Sequence, residues 1–280
     1  MKKRVKSKIK LLISNLFGED VYGKLYAFCQ SRRLQKGRNK YSEAEINLLP
    51  SFVRSGDVVI DIGANFGQYT YPLSKLVGVS GRVFSFEPVR STFKILQNII
   101  KRLKLTNVEL LNLALGENNG EVEFIIPIDS FGVQNIYCAH LCGQKENIKG
   151  IKETVRMISL DELRAELPLL RRAVFIKCDV EGQELMVLKG GRALLSECHP
   201  IIFCEIEEKQ TRRYGYAPED LFAFLKTLGY EVFVFVSNKL VPTQGVQDSI
   251  SNYIFISRDN NGLSKSFDNH FKLERLERYN

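Results

Sequence analysis

The segment that most constrains this chain is Val58-Val59-Ile60-Asp61-Ile62-Gly63-Ala64-Asn65-Phe66-Gly67-Gln68. A β-branched run with no polar alternation reads as a strand buried on both faces. It ends on a glycine turn, and helical spacing follows over Tyr69–Val77. A doubly buried strand leading through a turn into a helix belongs to a parallel sheet covered on both sides.

The same rhythm extends along most of the chain. Ser42–Phe52 has helical spacing, Arg82–Phe86 reads as a second strand, and Ser91–Leu103 as an amphipathic helix. Val108–Leu113 and Glu121–Ile126 read as strands, whereas Pro127–Lys152 has no sustained period. A loop that long in a compact domain is usually functional or mobile. Strands are then expected at Thr154–Ile158, Val174–Asp179, Ile201–Ile206, Glu231–Val236 and Tyr253–Ser257. Helices are expected at Leu160–Glu166, at Glu184–Leu195 with Gly190-Gly191 interrupting it, and at Pro218–Leu228. No internal repeat is visible.

Charge divides the chain. Its formal charge is +8, but residues 1–40 alone carry +10 and the remaining 240 carry −2. A near-neutral body with a basic arm is not a uniformly basic coat for nucleic acid. In the first 17 residues Val5, Ile9, Leu12, Ile13, Leu16 and Phe17 share one helical face, with lysines on much of the other. Such a helix either packs on its own domain or lies on an anionic membrane surface or partner. Ser31–Lys40 reads as a polar, basic connector. The expected division is a basic helical arm over 1–40, one domain over 41–257 and a polar tail over 258–280.

No stretch approaches the roughly 18 apolar residues of a membrane span, and Leu11–Ile13 is too short for a signal-peptide core. Six cysteines are spread without a disulfide framework. The expected setting is therefore reducing and cytoplasmic, with membrane association through the arm left open.

Three strand ends carry candidate chemistry. The first is the Gly63-x-x-x-Gly67 turn, where glycine lets backbone approach a ligand and the following helix N-terminus offers N–H groups. It lacks the middle glycine of the dinucleotide fingerprint, so a ligand without a pyrophosphate fits better. The second is Phe86-Glu87-Pro88. An acid at the end of the second strand, about 20 residues beyond the turn, can accept hydrogen bonds from ribose hydroxyls. The third is Lys177-Cys178-Asp179-Val180-Glu181-Gly182-Gln183-Glu184, at the carboxyl end of a buried strand where open α/β sheets bind ligands. Asp179 and Glu181 there suit orientation or deprotonation of a hydroxyl, while Glu184 reads mainly as a helix N-terminal acid. Glu205 ends the next strand. Beside Asp179 it makes either a hard divalent-metal pair or a solvated strand end.

Together these segments resemble the FkbM-type methyltransferases, a branch of the S-adenosylmethionine-dependent Rossmann-like enzymes. The resemblance rests on Asp61–Gly67, Phe86-Glu87-Pro88, Ala114-Leu115-Gly116, Ser159–Leu163, Lys177–Glu184, Glu205 and Gly229-Tyr230. It covers Glu43 to Ser257. It implies an α/β fold of the class I methyltransferase type, with a seven-stranded, mostly parallel sheet, an antiparallel last strand and helices on both faces. It implies S-adenosylmethionine as cofactor, held by Asp61, Gly63, Ala64, Asn65, Gly67, Gln68, Glu87 and Leu115. Asp179 and Glu181 are the expected catalytic pair, and a sugar, glycan or secondary-metabolite hydroxyl is the expected acceptor. No resident metal is assigned.

Two other readings stand beside it. A nucleic-acid methyltransferase would use the basic arm as a clamp and want an aromatic-and-proline motif to hold a flipped base. Asp179-Val180-Glu181-Gly182 supplies neither. A partner-binding module would keep the fold without turnover. Cys138-Ala139-His140-Leu141-Cys142 offers soft ligands, but a structural zinc site wants four. No phosphate-cradling Gly-x-x-x-x-Gly-Lys-Ser/Thr segment exists, which argues against an NTPase.

Overall fold

In a computed structural model, strand β1 (Val58–Ile62) has no exposed residue. It lies between β2 (Arg82–Phe86) and β8 (Ala173–Cys178), both parallel to it. The structure describes residues 18–37, 44–128, 134–135, 139–142, 149–237, 239–247 and 250–259. The amphipathic helix expected over residues 1–17, Cys138 and most of the C-terminal tail lie outside the described residues.

In chain order the elements before β1 are α1 (Glu19–Gln35) and a 3₁₀ turn (Ala44–Leu48) running into α2 (Leu49–Phe52). After β1 come α3 (Thr70–Val77), β2, α4 (Arg90–Leu103), β3 (Val108–Leu111), β4 (Ala114–Leu115), β5 (Gly120–Pro127), β6 (His140–Leu141) and β7 (Gly150–Ile158). Helix α5 (Leu160–Glu166) and a 3₁₀ turn (Pro168–Arg172) lead to β8, α6 (Glu184–Lys189), α7 (Arg192–Cys198) and β9 (Ile201–Glu205). The chain continues with α8 (Glu208–Arg213), α9 (Pro218–Thr227), β10 (Tyr230–Val236), β11 (Lys239–Pro242) and β12 (Asn252–Ser257).

The main sheet has the order β11-β10-β12-β9-β8-β1-β2-β3. Strands β3, β2, β1, β8 and β9 are parallel, and β12 runs antiparallel between β9 and β10. The late strand is therefore inserted rather than added at the edge. This is an α/β Rossmann-like sheet, with one correction: it has eight strands, not seven. The eighth, β11, pairs antiparallel with β10 and caps the edge.

A second sheet, β4-β7-β5-β6, gathers the middle of the chain. The segment expected as a patternless loop to Lys152 in fact enters β7 at Gly150, in register against Pro127. Two apolar clusters cover the main sheet. One contains Ile60, Phe84, Ile176, Leu188, Leu195 and Phe255; the other contains Val59, Leu73, Val83, Phe175 and Phe203. Gly190 and Gly191 break the expected Glu184–Leu195 helix into α6 and α7. A Cβ on Gly190 would strike the Gly116 carbonyl, so the break is a close approach of backbones.

The connector expected over Ser31–Lys40 is also corrected. Helix α1 continues to Gln35 and buries Ala27, Gln30, Ser31 and Leu34. It packs along α4, with Gly23 against Ile95. Its arginines face outward and made the segment look like a linker.

Candidate functional site

Ligands in open α/β sheets bind at the carboxyl ends of the strands, where the chain order reverses. Here the chain runs from β1 outward to β2 and β3, then returns to β8 and β9 on the other side. The switch point lies between β1 and β8. Gly63 follows β1 and Asp179 follows β8, and the Asp179 N–H donates to the Ile62 carbonyl at 3.1 Å. Gly63 has φ +78°, and a Cβ there would collide with the Asp179 carbonyl. Only glycine satisfies both requirements.

The turn is braced from β2. The N–H groups of Gly63 and Ala64 both donate to the Phe86 carbonyl, at 3.0 and 2.9 Å, and that of Gly67 to the Ala64 carbonyl at 2.8 Å. The Asn65 N–H donates to Glu87 Oε2 at 2.9 Å. The sequence suggests free N–H groups aimed at a ligand, yet these four are spent internally. What the turn offers is shape and the buried Asn65 Oδ1, which has no hydrogen-bond partner. Asn65 sits at φ +46°, in the left-handed region.

Glu87 is buried. Its other oxygen accepts from the Val89 N–H at 3.0 Å. Burial pushes its carboxyl up to about 8, against the pull of the two N–H donors. With one N–H accepted at each oxygen, the carboxyl keeps hydrogen-bonding capacity for ligand hydroxyls. Asn112 donates to the Glu87 and Pro88 carbonyls at 2.9 and 2.7 Å and fixes the strand end.

Asp61 is buried beneath the turn, bonded by Thr70 Oγ1 at 2.5 Å. Burial raises its carboxyl to about 6, while the Thr70 hydroxyl and the nearby Lys177 hold it down. Lys177 pairs across the sheet with Asp61. Its Nζ lies 3.7 Å from Asp179 Oδ2 and 5.0 Å over the Tyr69 ring, with the side chain only 2% exposed. A buried ammonium needs such partners. The Asp179 side chain is 31% exposed.

The loop from Val180 to Gln183 is held by Glu184. Its Oε1 accepts from the N–H groups of Val180 and Gly182, both at 3.0 Å. Tyr216 Oη donates to the Gly182 carbonyl at 2.8 Å. Glu184 is fully buried and shapes the loop. Glu181 is half-buried at φ +58° and accepts from Gln210 Nε2 at 2.8 Å. Burial and the Asp179, Glu184 and Glu207 carboxylates raise it to about 7. Tyr214 Oη, just beyond α8, donates to the Leu141 carbonyl of β6 at 2.8 Å, tying the second sheet to this side.

Asp61, Gly63, Ala64, Asn65, Gly67, Glu87, Asp179 and Glu181 thus gather around the ends of β1, β2 and β8. Gln68 is half-buried one residue beyond Gly67. Leu115 is 6% exposed and belongs to the core cluster that also holds Ile62, Phe86 and Ile158. Glu205 ends β9 one register step beyond the Cys178–Cys204 pair. Among the described residues no group of three or more His, Cys, Asp or Glu is placed to hold a metal. Sequence reasoning passed over Lys177, Thr70 and Tyr216. A lysine inside a strand carries no sequence sign of burial, although its flanking β-branched and aromatic neighbours hint at it.

The fold is that of a Rossmann-like α/β protein, with the glycine turn and the Asp179 and Glu181 carboxylates at its switch point. The Methyltransferase FkbM domain matches residues 61–232, well over half of the chain. The chain belongs to the FkbM-domain methyltransferase family. It is 31% identical over 160 residues to the hexuronic acid methyltransferase AglP of Haloferax volcanii, covering 56% of this chain and 59% of that protein. It is 25% identical over 143 residues to Methyltransferase 1 of Beauveria bassiana, covering 47% and 57%. The matched region spans under two thirds of either relative's length. An FkbM methyltransferase structure from Methylobacillus flagellatus aligns with a TM-score of 0.48 and 20% identity, over 72% of this chain and 43% of that one.

Proposed function

We propose that the chain transfers a methyl group from S-adenosylmethionine to a hydroxyl of a sugar, glycan or secondary metabolite. The observation that carries this reading is the contact of Gly63 with the Asp179 backbone at the switch point. It sets a ligand cradle and a half-exposed carboxylate side by side. Membership of the FkbM domain family supports the reaction class, and the hexuronic acid methyltransferase among the relatives supports a sugar acceptor.

The cradle fits the cofactor. Glu87 keeps hydrogen-bonding capacity on both oxygens for ribose hydroxyls, and Asn65 Oδ1 is buried without a partner and suits a ligand N–H or O–H. When bound, S-adenosylmethionine supplies a methyl already activated on a sulfonium, so no covalent catalysis is asked of the protein. The chain's own task is to place the acceptor oxygen at near-attack distance and to remove its proton. Asp179, steadied by Lys177, accepts the acceptor hydroxyl as a hydrogen bond and orients it. Glu181, with its carboxyl raised to about 7, takes the proton as the new oxygen–carbon bond forms.

Asp179→Asn tests the site. We expect kcat to fall about 10²- to 10⁴-fold while calorimetric affinity for S-adenosylmethionine is retained. Full turnover in that variant removes Asp179 from the reaction. Tritiated methyl transfer to cell extract, fractionated into lipid, saccharide, protein and nucleic acid, tests the acceptor class. Label confined to protein or nucleic acid would sink the hydroxyl-metabolite reading.

A further inference from the structure

Helix α1 is apolar on two opposite sides. Gly23, Ala27, Gln30, Ser31 and Leu34 face the body and are buried. Val21, Leu25 and Phe28, at spacings of four and three, form a second stripe that points away from it. They are 46%, 46% and 37% exposed. Inward packing accounts for the first stripe and leaves the second without a structural task.

After its first two residues, Glu19 and Asp20, helix α1 carries Lys24, Arg32 and Arg33 and no further acid, Lys36 follows it, and the adjoining α4 carries Arg90, Lys94, Lys101 and Arg102 and no acid. Arg32 and Arg102 both lie over the Phe28 ring, with their guanidinium carbons 5.0 and 4.7 Å from its centroid. This holds two cations level with the aromatic face instead of letting them extend into water.

We infer that the outward face of α1, flanked by α4, is a docking surface for an anionic lipid bilayer. An apolar stripe framed by cations is what the headgroup–acyl boundary binds: Leu and Phe enter the apolar layer while Lys and Arg meet lipid phosphates. Nucleic acid would use the cations but leave the apolar centre exposed. A second copy placed by a two-fold axis would set this predominantly basic surface against itself, and like charges would oppose each other. The basic sequence of residues 1–17, immediately before α1, adds charge of the same sign. The inward side of the same helix walls the ligand turn, with Tyr26 and Phe66 rings 4.8 Å apart. The docked surface therefore backs directly onto the site.

The test is co-sedimentation of the full chain with phosphatidylcholine–phosphatidylserine vesicles and with phosphatidylcholine alone. We expect binding to the mixed vesicles only, weakened by added salt. Leu25→Ser with Phe28→Ser should lower the partition coefficient about tenfold. Arg32→Gln and Arg102→Gln should each lower it about fivefold. The chain has no tryptophan, so Phe28→Trp gives a reporter that does not depend on a destabilising change. Its emission should shift to the blue on mixed vesicles. An unshifted emission, equal binding to neutral vesicles, or wild-type binding by the folded Leu25/Phe28 variant would overturn the proposal. So would a wild-type dimer that the same variant dissolves, since a second copy would then cover the face.

Discussion

At the residue scale, Gly63 and Glu87 do different work for one turn. Gly63 meets two demands, a left-handed φ and contact with the Asp179 carbonyl. Gly63→Ala should cost about 1–3 kcal/mol from backbone strain alone, read by urea denaturation, and should abolish calorimetric cofactor binding. Glu87 couples the turn to pH. Its carboxyl is raised from 4.5 to about 8 in the folded chain, so the folded state holds the proton more tightly than the unfolded one. Its contribution to stability is therefore fully present below the unfolded value and is lost as pH rises through about 8. Glu87→Gln should flatten this fall, measured by denaturation on either side of that window. The glycine turn and both strand-end acids were legible as local patterns. The fate of the turn's N–H groups was not, because their acceptors, the Phe86 carbonyl and Glu87, come from another strand. Lys177 was not legible either. Its burial depends on Tyr69, Asp61 and Asp179 meeting around it.

At the element scale, some helices carry their own punctuation and others borrow it. Helix α5 begins at Ser159, whose hydroxyl accepts from the Glu162 N–H at 3.2 Å. Helix α7 has no side-chain cap of its own. Asp161, in the first turn of α5, supplies one by accepting from the N–H groups of Ala193 and Leu194, both at 2.8 Å. Asp161→Ala should cost about 1–2 kcal/mol, visible as a lower urea midpoint with unchanged slope. Elements with strong periodicity, such as α4 and α9, were predicted within a few residues. Among the short elements, β1, β2 and α5 carry enough local pattern to be read, whereas β4, β6 and β11 do not. Strand β11 alternates weakly and exists because β10 offers an unpaired edge. The end of helix α1 reads as a connector in sequence because Arg32, Arg33 and Lys36 look like linker residues. Its buried side includes Ser31, a polar residue tolerated there because its hydroxyl bonds the Ala27 carbonyl at 2.7 Å.

At the scale of the whole molecule, the basic region includes a helix that belongs to the body: α1 lies on α4 and touches the glycine turn through Tyr26 and Phe66. Removal through Gln35 should lower the melting temperature and the cofactor affinity, because it uncovers Ile95, Phe66 and the neighbouring core. Differential scanning calorimetry and binding calorimetry on the truncated chain would check this. The sequence by itself determined the alternation of strands and helices, the parallel core and the residues that end its strands. These follow from hydrophobic period and local turn chemistry, which act between near neighbours in the chain. Tertiary structure alone decided the insertion of β12 between β9 and β10, the edge strand β11 and the second sheet. It also decided the burial of Lys177 and the joining of α1 to the site. Each depends on partners distant in sequence, and no local pattern encodes which buried surface or sheet edge a segment will meet.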